Sequence, residues 1–177
     1  MKNLYFILFC ILFWGVQSYS QEEQIEESET RHSISIVLSH ANVLEGRDSD
    51  GDKEWLKLAA WGINYNYEVD EKWAIGLHTD IILEQFVAEG ENGEEIERSR
   101  PVAPALMGAY KPGEHWSILF GAGGEFSKDE NYFLNRASLE YGTPLASNWE
   151  FIAEFSYDFR WKAYDSFTLG VGVAWKF

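Results

Sequence analysis

The 177-residue chain has one cysteine and four prolines, and beyond Val16 it has no apolar run long enough to cross a bilayer as a helix. Cys10 lies inside an N-terminal stretch expected to be removed. The mature chain is therefore expected to lack thiols, which excludes disulfides and cysteine-ligated metals, and no cofactor is expected. Phe9 places a bulky ring before Cys10 where a lipoprotein cleavage site needs a small residue. Positive charge is also scarce, with 14 Lys and Arg against 29 Asp and Glu and a formal charge of -15. Such a surface repels phosphate backbones, so no nucleic acid partner is expected. A helical span needs about 18 consecutive apolar residues. If the mature chain occupies a membrane, it must therefore do so as a closed barrel, because lipid cannot satisfy open sheet edges.

The N-terminus carries the features of a secretory leader. Met1 to Asn3 is a short basic region, Leu4 to Val16 is apolar, and Ser18 and Ser20 are the small residues a signal peptidase reads, so residues 1–20 read as a signal peptide. Residues 21–31 are acidic and poor in large apolar groups, as in a solvated tail. Residues 32–177 form the remaining domain.

That domain alternates at period two. In Ser166 to Phe177, the residues Phe167, Leu169, Val171, Val173, Trp175 and Phe177 share one parity, while Gly170, Gly172, Ala174 and Lys176 share the other. Alternate side chains of a strand face opposite sides, so one face is fully apolar and the other small or polar. The same dyad recurs in Ser33 to Val43, Trp55 to Glu68, Trp73 to Phe86, His115 to Phe126 and Asn148 to Arg160, and less clearly in Val102 to Tyr110 and Tyr132 to Gly142. Eight segments of this length predict an eight-stranded antiparallel up-and-down transmembrane β-barrel, apolar outward. Pro101 and Pro104 cannot donate to a ladder and are expected near the outer rim, at a bulge.

Connectors alternate between longer and tighter, as in outer-membrane barrels. Leu44 to Glu54 and Val87 to Arg100 are the long ones, and Asn92-Gly93 marks a hairpin tip that extends the sheet above the membrane. Tyr67, Trp73, Tyr110, Trp116, Tyr141, Trp149 and Phe177 fall at one end of the strands, with Phe86, Phe126, Phe133, Phe159 and Phe167 at the other, predicting two interfacial girdles. An even strand count puts both mature termini in the periplasm.

The ending Gly172-Val-Ala-Trp175-Lys-Phe177 resembles the C-terminal assembly signal of Gram-negative outer-membrane proteins. Together with the leader and the eight segments, the chain resembles the small outer-membrane barrels of the OmpA/OmpX type. The resemblance implies an outer-membrane location, contact with lipid and lipopolysaccharide, and handling by periplasmic chaperones and the barrel-assembly machinery.

Eight strands leave an interior wide enough only for side chains or one small ligand. Inward parity gathers Arg136, Glu140, Glu150, Glu154, Asp158 and Lys176 there, with Lys176 level with Glu150 and Arg136 near Glu154 or Asp158. Paired charges of this kind would plug the lumen and leave no open pore. His78, Asp80 and Glu84 share one parity and could form a general acid/base set, but no nucleophile accompanies them, so lumen lining is preferred and no catalytic residue is assigned. Asp48, Asp50, Asp52 and Glu54 space carboxylates as a calcium loop does, without its distal bidentate Glu, and are candidate divalent-metal ligands. The expected role is structural or surface-interacting and not enzymatic. The alternatives are a lipid A-modifying enzyme of the outer membrane, to which the resemblance extends, and a barrel binding a small apolar ligand.

Overall fold

A computed structural model describes residues 31–48, 50–128 and 130–177, so the expected leader and most of the acidic tail lie outside the described residues. Ten strands follow one another: β1 (His32–Arg47), β2 (Lys53–Glu68), β3 (Trp73–Ile82), β4 (Gln85–Glu89), β5 (Glu95–Ser99), β6 (Val102–Tyr110), β7 (Trp116–Phe126), β8 (Asn131–Ala146), β9 (Trp149–Arg160) and β10 (Ser166–Lys176). Eight of them pair antiparallel in a ring, β1-β2-β3-β6-β7-β8-β9-β10, which β10 closes against β1 from Ser33–Lys176 to Val43–Ser166. The expected eight-stranded up-and-down barrel is the fold observed. Its turn end carries Phe177 and the first described residues, and its loop end carries the longer connections.

Burial follows the dyad. Along β2, Leu58, Ala60, Gly62 and Asn64 are buried while Ala59, Trp61, Ile63 and Tyr65 are exposed. The outer surface is correspondingly apolar: Leu106 is 68% and Phe120 65% exposed, and Leu38, Ile75, Leu77, Leu169 and Val171 continue the band. A monomeric soluble protein rarely exposes so large a contiguous apolar surface. Inside, small residues keep the tube narrow. A Cβ at Gly172 would run into the backbone carbonyl of Ile36 on the neighbouring strand, so valine there is expected to strain the β1–β10 seam and lower the urea midpoint of the barrel.

Rings sort to the two ends. Trp73–Tyr110 (4.9 Å), Trp116–Tyr141 (5.1 Å) and Trp175–Phe177 (4.7 Å) pair at the turn end, with Trp55–Phe167 (6.1 Å) and Phe133–Trp161 (6.0 Å) at the loop end. Asn135, polar on an outward parity, accepts a hydrogen bond from Trp161 Nε1 at 2.8 Å.

Several local expectations need correction. β3 ends at Ile82, short of Phe86, which belongs to the next strand, β4. The β4–β5 hairpin does turn at Asn92-Gly93, where Gly93 has φ 82°, a conformation that costs glycine little. It does not continue β3 and β6 upward, however. It crosses to the far edge of β1 and pairs there at Gly46–Ala88 and Arg47–Val87, above the point where β10 stops. Phe86 consequently leaves the outer girdle and is buried with Val43, Leu58, Ile82, Ala88 and Tyr164. Among the described residues the ladder register shifts between Val43 and Gly46 and between Pro144 and Ala146, and not at Pro101 or Pro104. Pro104 sits in β6 near the loop end, opposite Thr79. β8 runs on to Ala146, beyond the end of the Tyr132 to Gly142 segment read from the sequence.

Candidate functional site: the charged lumen

Inward-facing residues build three tiers of polar contacts. At the loop end, Glu125 on β7 is fully buried and serves two arginines. Arg98 on the hairpin donates to its Oε1 through Nε at 2.9 Å and Nη2 at 2.6 Å, and through Nη1 to the carbonyl of Glu130 at 2.7 Å. Arg160 on β9 donates to Glu125 Oε2 and to Ser166 Oγ, while the Tyr164 hydroxyl donates to Oε1 at 2.7 Å. Burial raises the Tyr164 phenol above its ordinary pKa, with Arg160 opposing, so it stays a donor. The hairpin is thus pinned over the loop-end mouth by apolar packing beneath Phe86 and by one carboxylate shared between two guanidinium groups.

In the middle tier, Arg136 on β8 forms a bidentate pair with Asp158 on β9, Nε to Oδ1 at 2.7 Å and Nη2 to Oδ2 at 2.8 Å. It also reaches across the lumen to Asp80 on β3 at 3.0 Å. Bidentate arginine–carboxylate contacts are among the stronger hydrogen bonds available to a protein. Below them, Asn64 on β2 donates to Glu154 Oε2 at 3.2 Å, and Ser156 donates to Glu154 Oε1 at 2.6 Å. His78 is buried beside Asn66, Nε2 to Oδ1 at 2.9 Å.

At the turn end, Lys176 pairs with Glu150 at 3.1 Å and Lys111 with Glu68. A cavity of about 70 Å³ opens among them, walled by Ser33, Ser35, Glu68, Glu140, Glu150 and Lys176. Glu140 is half-buried on its wall.

Of the six lumen charges singled out from sequence, Arg136 meets Asp158 and Lys176 meets Glu150; Glu140 and Glu154 lie opposite one another across β8 and β9. His78, Asp80 and Glu84 are not brought together. Glu84 lies beyond the end of β3, exposed, and accepts from the backbone amide of Ala59 at 3.0 Å, while His78 and Asp80 have separate partners. Asp48 spends a carboxylate oxygen on the amides of Asp50 and Asp52, both at 2.9 Å. No three of Asp48, Asp50, Asp52 and Glu54 gather in a metal-holding group among the described residues. Gly172 and Trp175 lie on β10, and Phe177 follows it. Phe177 stacks on His32 at 5.6 Å, and its amide donates to the His32 carbonyl at 2.8 Å, at the foot of the closing seam.

At the loop end, the hairpin joins the tips of β1 and β2 through Glu89, which meets Arg47 at 2.7 Å and Lys53 at 2.9 Å. The Lys53 hydrogen bond, with Arg47 nearby, holds the Glu89 carboxyl below the usual range.

Among solved structures, the chain is similar to Ail, the attachment invasion locus protein of Yersinia pestis, in complex with the heparin analogue sucrose octasulfate. The TM-score is 0.55 and the identity 18%, covering 84% of this chain and 99% of Ail. It is also similar to the outer membrane protein OprG from Pseudomonas aeruginosa, with TM-score 0.57, identity 13%, and 87% and 99% of the two chains covered. Neisserial surface protein A gives TM-score 0.54, identity 12%, and 85% and 100% coverage. No family model and no curated protein matches the sequence. At these identities the likeness is one of fold: this chain has the fold of the small eight-stranded outer-membrane barrels.

Proposed function

We propose that the protein is an integral outer-membrane barrel with a structural or surface-interacting role, its lumen closed by paired side chains, and that it is not an enzyme. The observation that carries this reading is the pairing of an outward apolar band, bounded by aromatic rings, with an interior of arginine–carboxylate contacts. Lipid covers the first, and the second leaves no continuous water path of pore width. An apolar ligand finds no open apolar chamber: the inward apolar residues Met107, Leu119 and Leu134 pack on one another, and Ser35, Asn64, Arg136 and Asp158 take up much of the rest of the interior. A lipid-modifying reaction needs an activated nucleophile, and His78 has Asn66 for its partner. In this reading both termini are periplasmic, lipopolysaccharide flanks the loop end, and chaperones and the barrel-assembly machinery read Gly172, Trp175 and Phe177.

The sucrose octasulfate bound to Ail is a polyanion. The loop end here carries Asp50, Asp52, Glu54, Glu91, Glu94, Glu95 and Glu97, so sulfated saccharide is disfavoured and basic partners fit better.

The test combines location with conductance. Native protein is expected in the outer-membrane fraction, and the refolded barrel is expected to show no sustained channel steps in planar bilayers. Porin-like conductance, or recovery in a detergent-free periplasmic extract, would sink the proposal. Phe177→Ala is expected to remove aromatic contacts worth about 0.5–1.5 kcal/mol per pair and to lower the fraction of heat-modifiable folded barrel on gels of membrane extracts.

A further inference from the structure

The turn-end cavity is lined by four carboxylates, Glu68, Glu114, Glu140 and Glu150, against the two lysines Lys111 and Lys176. Glu140 on β8 and Glu154 on β9 are directly opposite in the antiparallel register, and both face inward. Opposed residues of neighbouring strands hold their Cβ atoms about 4.5–5.5 Å apart, and like charges there repel. Neither carboxylate has an ion-pair partner among the described residues: Lys176 is engaged with Glu150, Lys111 with Glu68 and Arg136 with Asp158 and Asp80. Glu154 is at least hydrogen-bonded by Asn64 and Ser156. Glu140 makes no side-chain hydrogen bond among the described residues and lines the cavity.

A second observation is independent of the acidic residues. Ser35, on β1 across the cavity, is only 4% exposed, and its hydroxyl has no hydrogen-bond partner. A buried hydroxyl without a partner costs free energy unless something in the adjacent space binds it. The cavity itself, about 70 Å³ and lined by that hydroxyl and by Glu140 and Glu150, has room for a small ion with part of its water shell.

We propose that this cavity is a site for a hydrated hard divalent cation of the magnesium type, held by the Glu140 carboxylate with Ser35 and Glu150 on its wall. All these donors are oxygens, which suits magnesium or calcium over softer metals. The described residues form no group of three acidic or imidazole side chains around one point. A fully dehydrated ion would need such a group, whereas magnesium retains several waters and is satisfied by one or two carboxylates. The inference rests on the lumen geometry and is independent of the compartment proposed above.

The experiment is urea unfolding of the refolded full-length mature barrel in phosphatidylcholine vesicles, with magnesium chloride compared against sodium chloride at equal ionic strength. Magnesium is expected to raise the wild-type midpoint. Glu140→Gln is expected to abolish that rise while unfolding, without magnesium, at or above the wild-type midpoint, because a repelling charge is gone. Ser35→Ala should need more magnesium for the same rise, and the loop variant Asp50→Asn/Asp52→Asn should keep it. Absence of a rise in the wild type, its survival in Glu140→Gln, or its loss in the loop variant overturns the proposal. Calorimetric titration of the wild type provides a readout that does not depend on any variant folding: one magnesium per chain is expected, and none overturns the site.

Discussion

Glu125→Ala is expected to destabilise the barrel by about 3–5 kcal/mol, the cost of leaving buried charge without its partner. The size follows from the arrangement: one fully buried carboxylate neutralises Arg98 and Arg160 and accepts from Tyr164. Its removal leaves Arg98 out of water with only the Glu130 carbonyl, and Arg160 with Ser166 and a longer contact to Asp158 at 3.3 Å. Urea unfolding in lipid vesicles measures the loss, and trypsin should then cut the hairpin faster, because Arg98 no longer holds it down. Replacing Arg98, Glu125 and Arg160 together with apolar residues of similar volume should cost much less, since desolvation of all three charges is then avoided. A triple variant as unstable as the single one would show that shape, not charge balance, governs this tier.

Leu106→Arg distinguishes a lipid-facing surface from a water-facing one by the sign of its effect. Leu106 lies midway along β6, between Leu77 and Ala122 on its neighbours, and is 68% exposed. In water, arginine at so exposed a position would leave stability within about 0.5 kcal/mol. At the middle of a bilayer it costs about 2–4 kcal/mol, falling towards zero near the interface. A large loss for Leu106→Arg beside a small one for Phe133→Arg, near the loop-end rim, is the expected pattern. Equal and negligible losses would remove the membrane from the description.

The barrel and part of its interior were legible in the sequence because both depend on parity. Once Trp149, Phe151 and Phe155 face outward, Glu150, Glu154 and Asp158 must face inward, and the turn between β9 and β10 fixes which of them Lys176 meets. Glu125 and Arg160 share those inward parities, so the same count reaches them, although the apolar face is the stronger signal in both strands. Arg98, Phe86 and Tyr164 were not legible at all. Their positions follow from the hairpin leaving the barrel wall and docking on β1, a long-range choice that no local periodicity encodes. Glu84 was misplaced for a related reason: parity places a side chain correctly only while the strand continues, and β3 stops at Ile82.

The docking of the hairpin also has a consequence for timing. Its seat is made from the first ring strand, from β7 and β9, and from the connection before β10, so no seat exists until the last strand has joined the first. A chain halted before that join would leave Phe86 and Ile96 uncovered and the segment around Gly93 open to cleavage. Protection of that segment therefore marks the completed ring, and a protease added during insertion would separate finished molecules from stalled ones at a single peptide stretch.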